Sequence, residues 1–206
     1  MKIAVIGATG KTGHLVVEQA LKQGYDVTAI VRSPEKLQED IPVIKRDILD
    51  LTKEDIEPFD VVVSCFGVRV GQEQQHIPVN KHFVDIFAGT DTRLIEVGTG
   101  ANLYTDDSRN KKVLDFLPAM KKQSELLEEA YQVLQDSKDV NWTYLAPPFH
   151  YNFDGPATGH YRTGTDYVIV DKKGISEISY ADLALALVDE IKNKQFEKQM
   201  FTATYE

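Results

Sequence analysis

Three glycines spaced three residues apart, Gly7, Gly10 and Gly13, follow directly on the apolar run Ile3-Ala4-Val5-Ile6. The chemistry such a turn suits is the binding of a dinucleotide diphosphate. Gly7 lets the chain leave a buried strand in a conformation that a Cβ opposes. Gly10 removes a side chain where a pyrophosphate must approach the main chain, and Gly13 lets the following helix pack close to the strand. The unpaired N–H groups of that helix, with Thr9, Lys11 and Thr12 beside them, then face the anion. A triphosphate-binding loop is excluded by spacing. Gly10-Lys11-Thr12 would need a glycine at position 5, which is Val5. Lys11 is therefore expected as a solvated side chain near the phosphates.

The second apolar run ends in Val31-Arg32-Ser33-Pro34-Glu35-Lys36. NAD sites carry an acid about 20 residues past the glycines to bond the ribose 2′-hydroxyl. Arg32 stands in place of that acid, and with Ser33 and Lys36 it offers a 2′-phosphate a guanidinium, a hydroxyl and an ammonium. NADP(H) is the preferred cofactor, and NAD(H) stays open because Glu35 is near enough to reach a ribose. Asp47 reads equally as a bond to the adenine amino group, with Ile48 packed on the ring, or as an exposed loop carboxylate. Ser64, Phe66 and Gly67, at the end of a further apolar run, are expected close to the cofactor. Cys65 among them reads as a packed small residue, because nothing electropositive surrounds it.

These residues need a scaffold, and the chain supplies one. Short β-branched runs at Asp26–Val31, Pro42–Lys45, Val61–Ser64, Arg93–Val97 and Trp142–Leu145 follow the first strand and alternate with amphipathic segments. Helices are predicted over Thr12–Gln23, Gln74–Ala88, Pro118–Gln135 and Ala181–Lys192, with shorter pieces near Pro34 and Thr52 and a last strand over Met200–Thr204. That alternation implies an α/β fold, a doubly wound parallel sheet with helices on both faces. Residues 99–117 and 147–174 resist the pattern, and both follow strands. In an open parallel sheet the ligand crevice lies at the carboxyl ends of the strands, so these stretches are expected as substrate-side walls.

The 206 residues suit one domain over 1–206, with a small C-terminal substrate-side region. Acidic residues number 32 against 23 basic ones, a formal charge of -9, and no basic stripe exists. Nucleic acid and anionic membrane are thus poor partners. A single cysteine, strand-sized apolar runs and no leader fit a soluble cytoplasmic protein. No His or Cys spacing suggests a metal site: His76 and His82 do not share a helical face. His14 reads as a solvent-facing helix residue. Oligomeric state is not legible.

The glycine motif, Val31-Arg32-Ser33-Pro34-Glu35-Lys36, Val97-Gly98-Thr99-Gly100-Ala101, Trp142-Thr143-Tyr144-Leu145-Ala146-Pro147-Pro148 and Ile178-Ser179-Tyr180-Ala181-Asp182-Leu183-Ala184 together resemble the atypical short-chain dehydrogenase/reductases. Within that group the chain is similar to the small bacterial NADH-flavin reductase-like proteins, relatives of biliverdin-IXβ reductases and NmrA-like proteins. The resemblance covers nearly the whole chain. It implies a Rossmann fold, an NAD(P)H cofactor and hydride transfer to a flat acceptor such as a flavin or quinone, the flavin being a substrate and not a bound prosthetic group.

Many short-chain dehydrogenases use a tyrosine four residues before a lysine, the phenol protonating the substrate. No tyrosine here has a lysine at that spacing. This disfavours a nucleotide-sugar epimerase-like reaction and leaves a non-catalytic NmrA-type redox sensor as the alternative to a reductase. A flavin or quinone takes hydride at a π-system, so such a reductase needs geometry more than an acid. Phe149 and Tyr151 are expected as ring-stacking walls, Gly98 and Thr99 as contacts near the nicotinamide, and Pro147 and Pro148 as shapers of the strand end. His150 and Tyr151 are the weak catalytic candidates.

Overall fold

The structure, a computed structural model, describes residues Met1–Glu206. In chain order its elements are β1 (Lys2–Ile6), α1 (Lys11–Lys22), β2 (Asp26–Val31), β3 (Val43–Lys45), α2 (Lys53–Ile56), β4 (Val61–Ser64), α3 (His76–Phe87), β5 (Arg93–Val97), α4 (Lys121–Gln135), β6 (Trp142–Leu145), β7 (His150–Asn152), β8 (Tyr161–Gly164), β9 (Glu177–Ser179), α5 (Tyr180–Asn193) and β10 (Gln199–Tyr205). Eight strands form one sheet in the order β3-β2-β1-β4-β5-β6-β10-β8. Every pairing is parallel except that of β10 with β8. This is the Rossmann-like α/β arrangement, with the order reversing between β1 and β4.

The central strands are apolar throughout because both faces of the sheet are covered. Ile3 and Val5 of β1 join Val63, Ile95 and Leu145 beneath α1 and α5, where Leu183, Leu187 and Ile191 complete one core. Ala4 and Ile6 point the other way, with Val62 and Leu94, against Phe83 of α3 and Tyr131 and Leu134 of α4. The two-residue period of a strand thus feeds two separate cores.

Two predicted helices start later than their patterns suggest. Pro118–Met120 and Glu73–Gln75 are single 3-10 turns that lead into α4 and α3. Residues 147–174 are also more regular than expected. Within them β7 forms and pairs with β9, which follows the stretch, and β8 extends the main sheet beyond β10. The segment after β7 is tied down by Asp182, whose buried carboxylate accepts the Thr158 and Gly159 N–H groups at 2.9 Å each. These strands escaped the sequence because they are three or four residues long and carry no sustained alternation.

At the amino ends of the strands a buried ion pair braces the fold. Arg93 of β5 meets Glu190 of α5, each side chain only 3% exposed. The guanidinium also donates to Thr143 Oγ1, and the carboxylate accepts the Gln195 and Phe196 N–H groups, so the charges are fully hydrogen-bonded. Removing one partner leaves the other charge buried and uncompensated. Glu190→Ala is expected to lower unfolding free energy by about 3–5 kcal/mol in urea titrations, more than a large truncation at the surface.

Candidate functional site

The glycine turn leads β1 into α1 over the carboxyl end of the sheet. Gly7 has a φ of 75°, and its N–H donates to the Ile30 carbonyl at 3.1 Å. A Cβ on Gly13 would lie 2.2 Å from the Gly7 carbonyl oxygen, so α1 meets the strand end at a distance only glycine permits. The Gly10 N–H donates to Gly7 and the His14 N–H to Gly10, each at 2.9 Å. No side chain caps α1 and no acidic residue lies in its first turn. The N-terminus therefore presents unneutralised donors, the arrangement an anion requires.

Beside this turn opens a cleft of about 430 Å³. Following the strand order, Arg46, Asp47 and Ile48 lie after β3, Arg32, Ser33 and Lys36 after β2, Gly7, Thr9 and Gly10 after β1, and Phe66 and Gly67 after β4. The side of β2 and β3 therefore gathers three cations and a hydroxyl. Arg32 extends into solvent, its side chain 78% exposed and 3.6 Å from the Asp47 carboxylate. Asp47 also accepts the Leu49 N–H at 3.1 Å, which fixes the turn that carries Ile48. Arg46, which the sequence did not single out, pairs with Asp55 at 2.9 Å. Cys65 lines the cleft, and burial pushes its thiol up to about 12, which leaves it unreactive.

A second cavity of about 230 Å³ adjoins the first, and Phe66 and Gly67 belong to both. It lies at the carboxyl ends of β4, β5 and β6, on the face covered by α3 and α4. Glu96, Val97, Gly98, Thr99 and Tyr144 form its sheet side, and His76, Leu127 and Ala130 its helix side. Asn80 of α3 donates to Glu96 Oε2 at 3.1 Å and to the Ala130 carbonyl at 2.9 Å. Tyr144 OH accepts the Thr99 N–H and Asn102 Nδ2, both at 3.1 Å. Desolvation raises Glu96 to about 8, outweighing the Asn80 bond, and drives Tyr144 well above its ordinary range. Burial lowers His76 below the usual histidine range. Glu96 and Tyr144 went unnoticed as sequence because each sits singly inside an apolar strand.

Several expected contacts stand elsewhere. Tyr151 is not an open wall: its ring stacks on Tyr180 at 3.5 Å with the planes 3° apart, and its hydroxyl bonds Thr12 Oγ1 at 3.1 Å. Thr12 thus turns its hydroxyl to a tyrosine. Lys11 is exposed, with its ammonium 4.4 Å over the Phe153 ring, so it is not simply solvated. Ser64 is fully buried and accepts the Phe66 N–H at 3.4 Å, below the cleft and not in its wall. Gly98 is glycine because a Cβ would fall 1.9 Å from Tyr144 OH, and the Thr99 hydroxyl caps the Ala101 N–H at 3.2 Å. Pro147 and Pro148 are buried, and the Pro147 carbonyl presses on Gly100. Phe149 is 65% exposed, its ring edge-on to exposed His150. His14 pairs with Glu39 at 2.9 Å.

A family model described as NAD(P)H-binding matches residues 7–194. The uncharacterized protein YwnB of Bacillus subtilis is 39% identical over 215 residues, covering 100% of this chain and 99% of that protein. A crystal structure from Streptococcus pneumoniae, of a protein named "putative NADH-flavin reductase", is 36% identical with a TM-score of 0.94 and covers 100% of both chains. Another, from Bacteroides thetaiotaomicron and named "putative epimerase", is 31% identical with a TM-score of 0.86, covering 99% of this chain and 96% of that one.

The raised Glu96 acid has a stability consequence. Between its ordinary value near 4.5 and about 8 the folded chain holds a proton that the unfolded chain has released, so stability falls as pH rises through that window. The slope from this group is at most about 1.4 kcal/mol per pH unit. Glu96→Gln is expected to remove that contribution, leaving a flatter denaturation midpoint against pH than the wild type between pH 5 and 8.

Proposed function

Because this chain belongs to the NAD(P)H-binding family, we propose that it is an NAD(P)H-dependent reductase that transfers hydride to a flat acceptor, a flavin, a quinone or a similar compound. The observation that carries the reading is the adjacency of the two cavities, which share Phe66 and Gly67 and set a cationic cleft beside a smaller space at the strand ends. Bound NAD(P)H would supply the hydride. The chain's own part is to hold, orient and exclude water.

The residues present fit the cofactor. The Gly7–Gly13 turn, with its uncapped helix, suits the diphosphate. Arg32, Ser33, Lys36 and Arg46 suit a 2′-phosphate, which favours NADP(H), while Asp47 and Ile48 lie where an adenine would pack. The acceptor would enter on the side of Val97 and Leu127, away from Tyr151. We place the protein in the cytoplasm and read the whole chain as one domain.

The lack of a tyrosine–lysine pair favours one other reading, a sensor that binds nicotinamide dinucleotides without turning them over. It also argues against epimerase chemistry, whatever the name of the Bacteroides relative. Steady-state oxidation of NADPH and NADH, with and without FMN or a quinone, separates the two readings. Acceleration that saturates in the acceptor is expected; cofactor binding without acceleration by any of them overturns the reductase.

The cofactor assignment has its own check. Arg32→Glu is expected to lower the preference for NADPH over NADH by about tenfold or more, since a charge-assisted bond to phosphate is replaced by repulsion. An unchanged ratio of kcat/KM values would sink the phosphate clamp.

A further inference from the structure

The small cavity ends on two acids that the cofactor cleft does not use. Glu96 of β5 and Tyr144 of β6 are register partners on adjacent parallel strands, so their side chains stand together on the face under α3 and α4. They are 5% and 2% exposed, and both line the cavity. We propose that Glu96 and Tyr144 form a two-donor site for the carbonyl oxygen of a small conjugated ring, and that Glu96 gives its proton to that oxygen when the ring is reduced.

Hydrogen-bond bookkeeping supplies the argument. The Tyr144 oxygen already accepts two N–H bonds, from Thr99 and Asn102, which uses both its lone pairs. What remains is its O–H, which has no protein acceptor. Gly98 is the device that lets the hydroxyl lie there, since any Cβ at that position would overlap it. On Glu96, Asn80 engages Oε2 alone, and Oε1 has no partner. Behind the wall, Asn80 Oδ1 and Asn102 Oδ1 are buried without partners, so the amides that hold Glu96 and Tyr144 are themselves incompletely bonded.

Charge decides which form these groups take. The titratable groups around Glu96 are Tyr144 on β6, Glu73 before α3, His76 at its start, and Tyr131 and Glu128 on α4. No lysine or arginine lines the cavity to hold a carboxylate, and Glu128 on α4 is itself paired with Lys112. Glu96 therefore keeps its proton up to about 8 and acts as a donor at neutral pH. A phenol beside a neutral buried carboxylic acid stabilises an enolate-like oxygen as negative charge develops on it.

The volume sets the ligand class. At about 230 Å³ the space is below the roughly 300–1,000 Å³ of drug-sized sites, and it suits a single flat ring. A quinone meets these requirements. Its conjugated system takes the hydride of NAD(P)H, its carbonyl oxygen takes the Glu96 proton, and the sum is a hydroquinone. Glu96 then regains a proton from water. The proton-transfer half of the proposal rests on the reductase reading; the two-donor site does not.

A phenol mimics the developing oxyanion and tests the site without any turnover. The full-length chain, titrated with para-nitrophenol at pH 7 by calorimetry, is expected to bind one equivalent. Glu96→Leu and Tyr144→Phe should each weaken binding by about tenfold or more, the loss of one strong hydrogen bond. Glu96→Gln keeps a donor of nearly the same shape, so it should retain binding but lose the fall in affinity that the wild type shows above about 8. It should also reduce quinone at least about tenfold more slowly, for want of a transferable proton. No binding by the wild type overturns the site, as do Leu and Phe variants that bind as well as the wild type. An alkaline limb persisting in Glu96→Gln overturns the role of Glu96. Phenol binding with this pattern but no quinone-dependent NAD(P)H oxidation overturns the reductase and leaves the carbonyl site. Oxidation without phenol binding does the reverse.

Discussion

The approach of Gly13 to the Gly7 carbonyl is the contact on which the rest of the architecture hangs. With no Cβ at position 13, α1 lies directly on the end of β1, and Gly7 in turn abuts the Cys65 carbonyl at the end of β4. Two strands and a helix are thereby locked at one point, the point where the strand order reverses. A crevice must open there, because successive crossovers leave in opposite directions. The unpaired helix donors, the cleft beside them and the alignment of α1 with α5 all follow from that spacing.

The sheet divides its work between its two ends and its two faces. At the amino ends Arg93, Thr143 and Glu190 form a saturated polar knot that joins β5, β6 and α5. At the carboxyl ends the comparable positions, Glu96 and Tyr144, are left incompletely bonded. The contrast is one of satisfaction rather than polarity. Both sites bury ionisable groups, yet only the second retains donors and acceptors for something outside the chain. Apart from that knot, the face beneath α1 and α5 is apolar, with the Tyr151–Tyr180 stack over the top of it.

Legibility from sequence followed the range of the interactions. The strands from Asp26–Val31 to Trp142–Leu145 stood out because each is a short run rich in β-branched and apolar residues, and the glycine turn because its spacing is local. Arg32 and Lys36 were readable as neighbours in the chain. The pairing of Glu96 with Tyr144 was not, since 48 positions separate them and only the parallel register of β5 and β6 brings them level. Tyr151 misled for the same reason: an aromatic after Pro147-Pro148 suggests a pocket wall until its partner, Tyr180, is seen on another element. The strands β7, β8 and β9 are held by distant partners, which local propensity does not register.

A sheet of eight strands has two open edges, and each presents unpaired backbone groups to any other extended chain. Here both margins are poor templates. β3 is three residues long, preceded by Pro42, ending in Lys45 and followed by Arg46. β8 runs against its neighbour, spans four residues and carries Arg162. The long apolar strands that would propagate a fibril are all interior. A chain with so much parallel β-structure is thereby kept from growing edge to edge, and the protection lies in its least conspicuous strands.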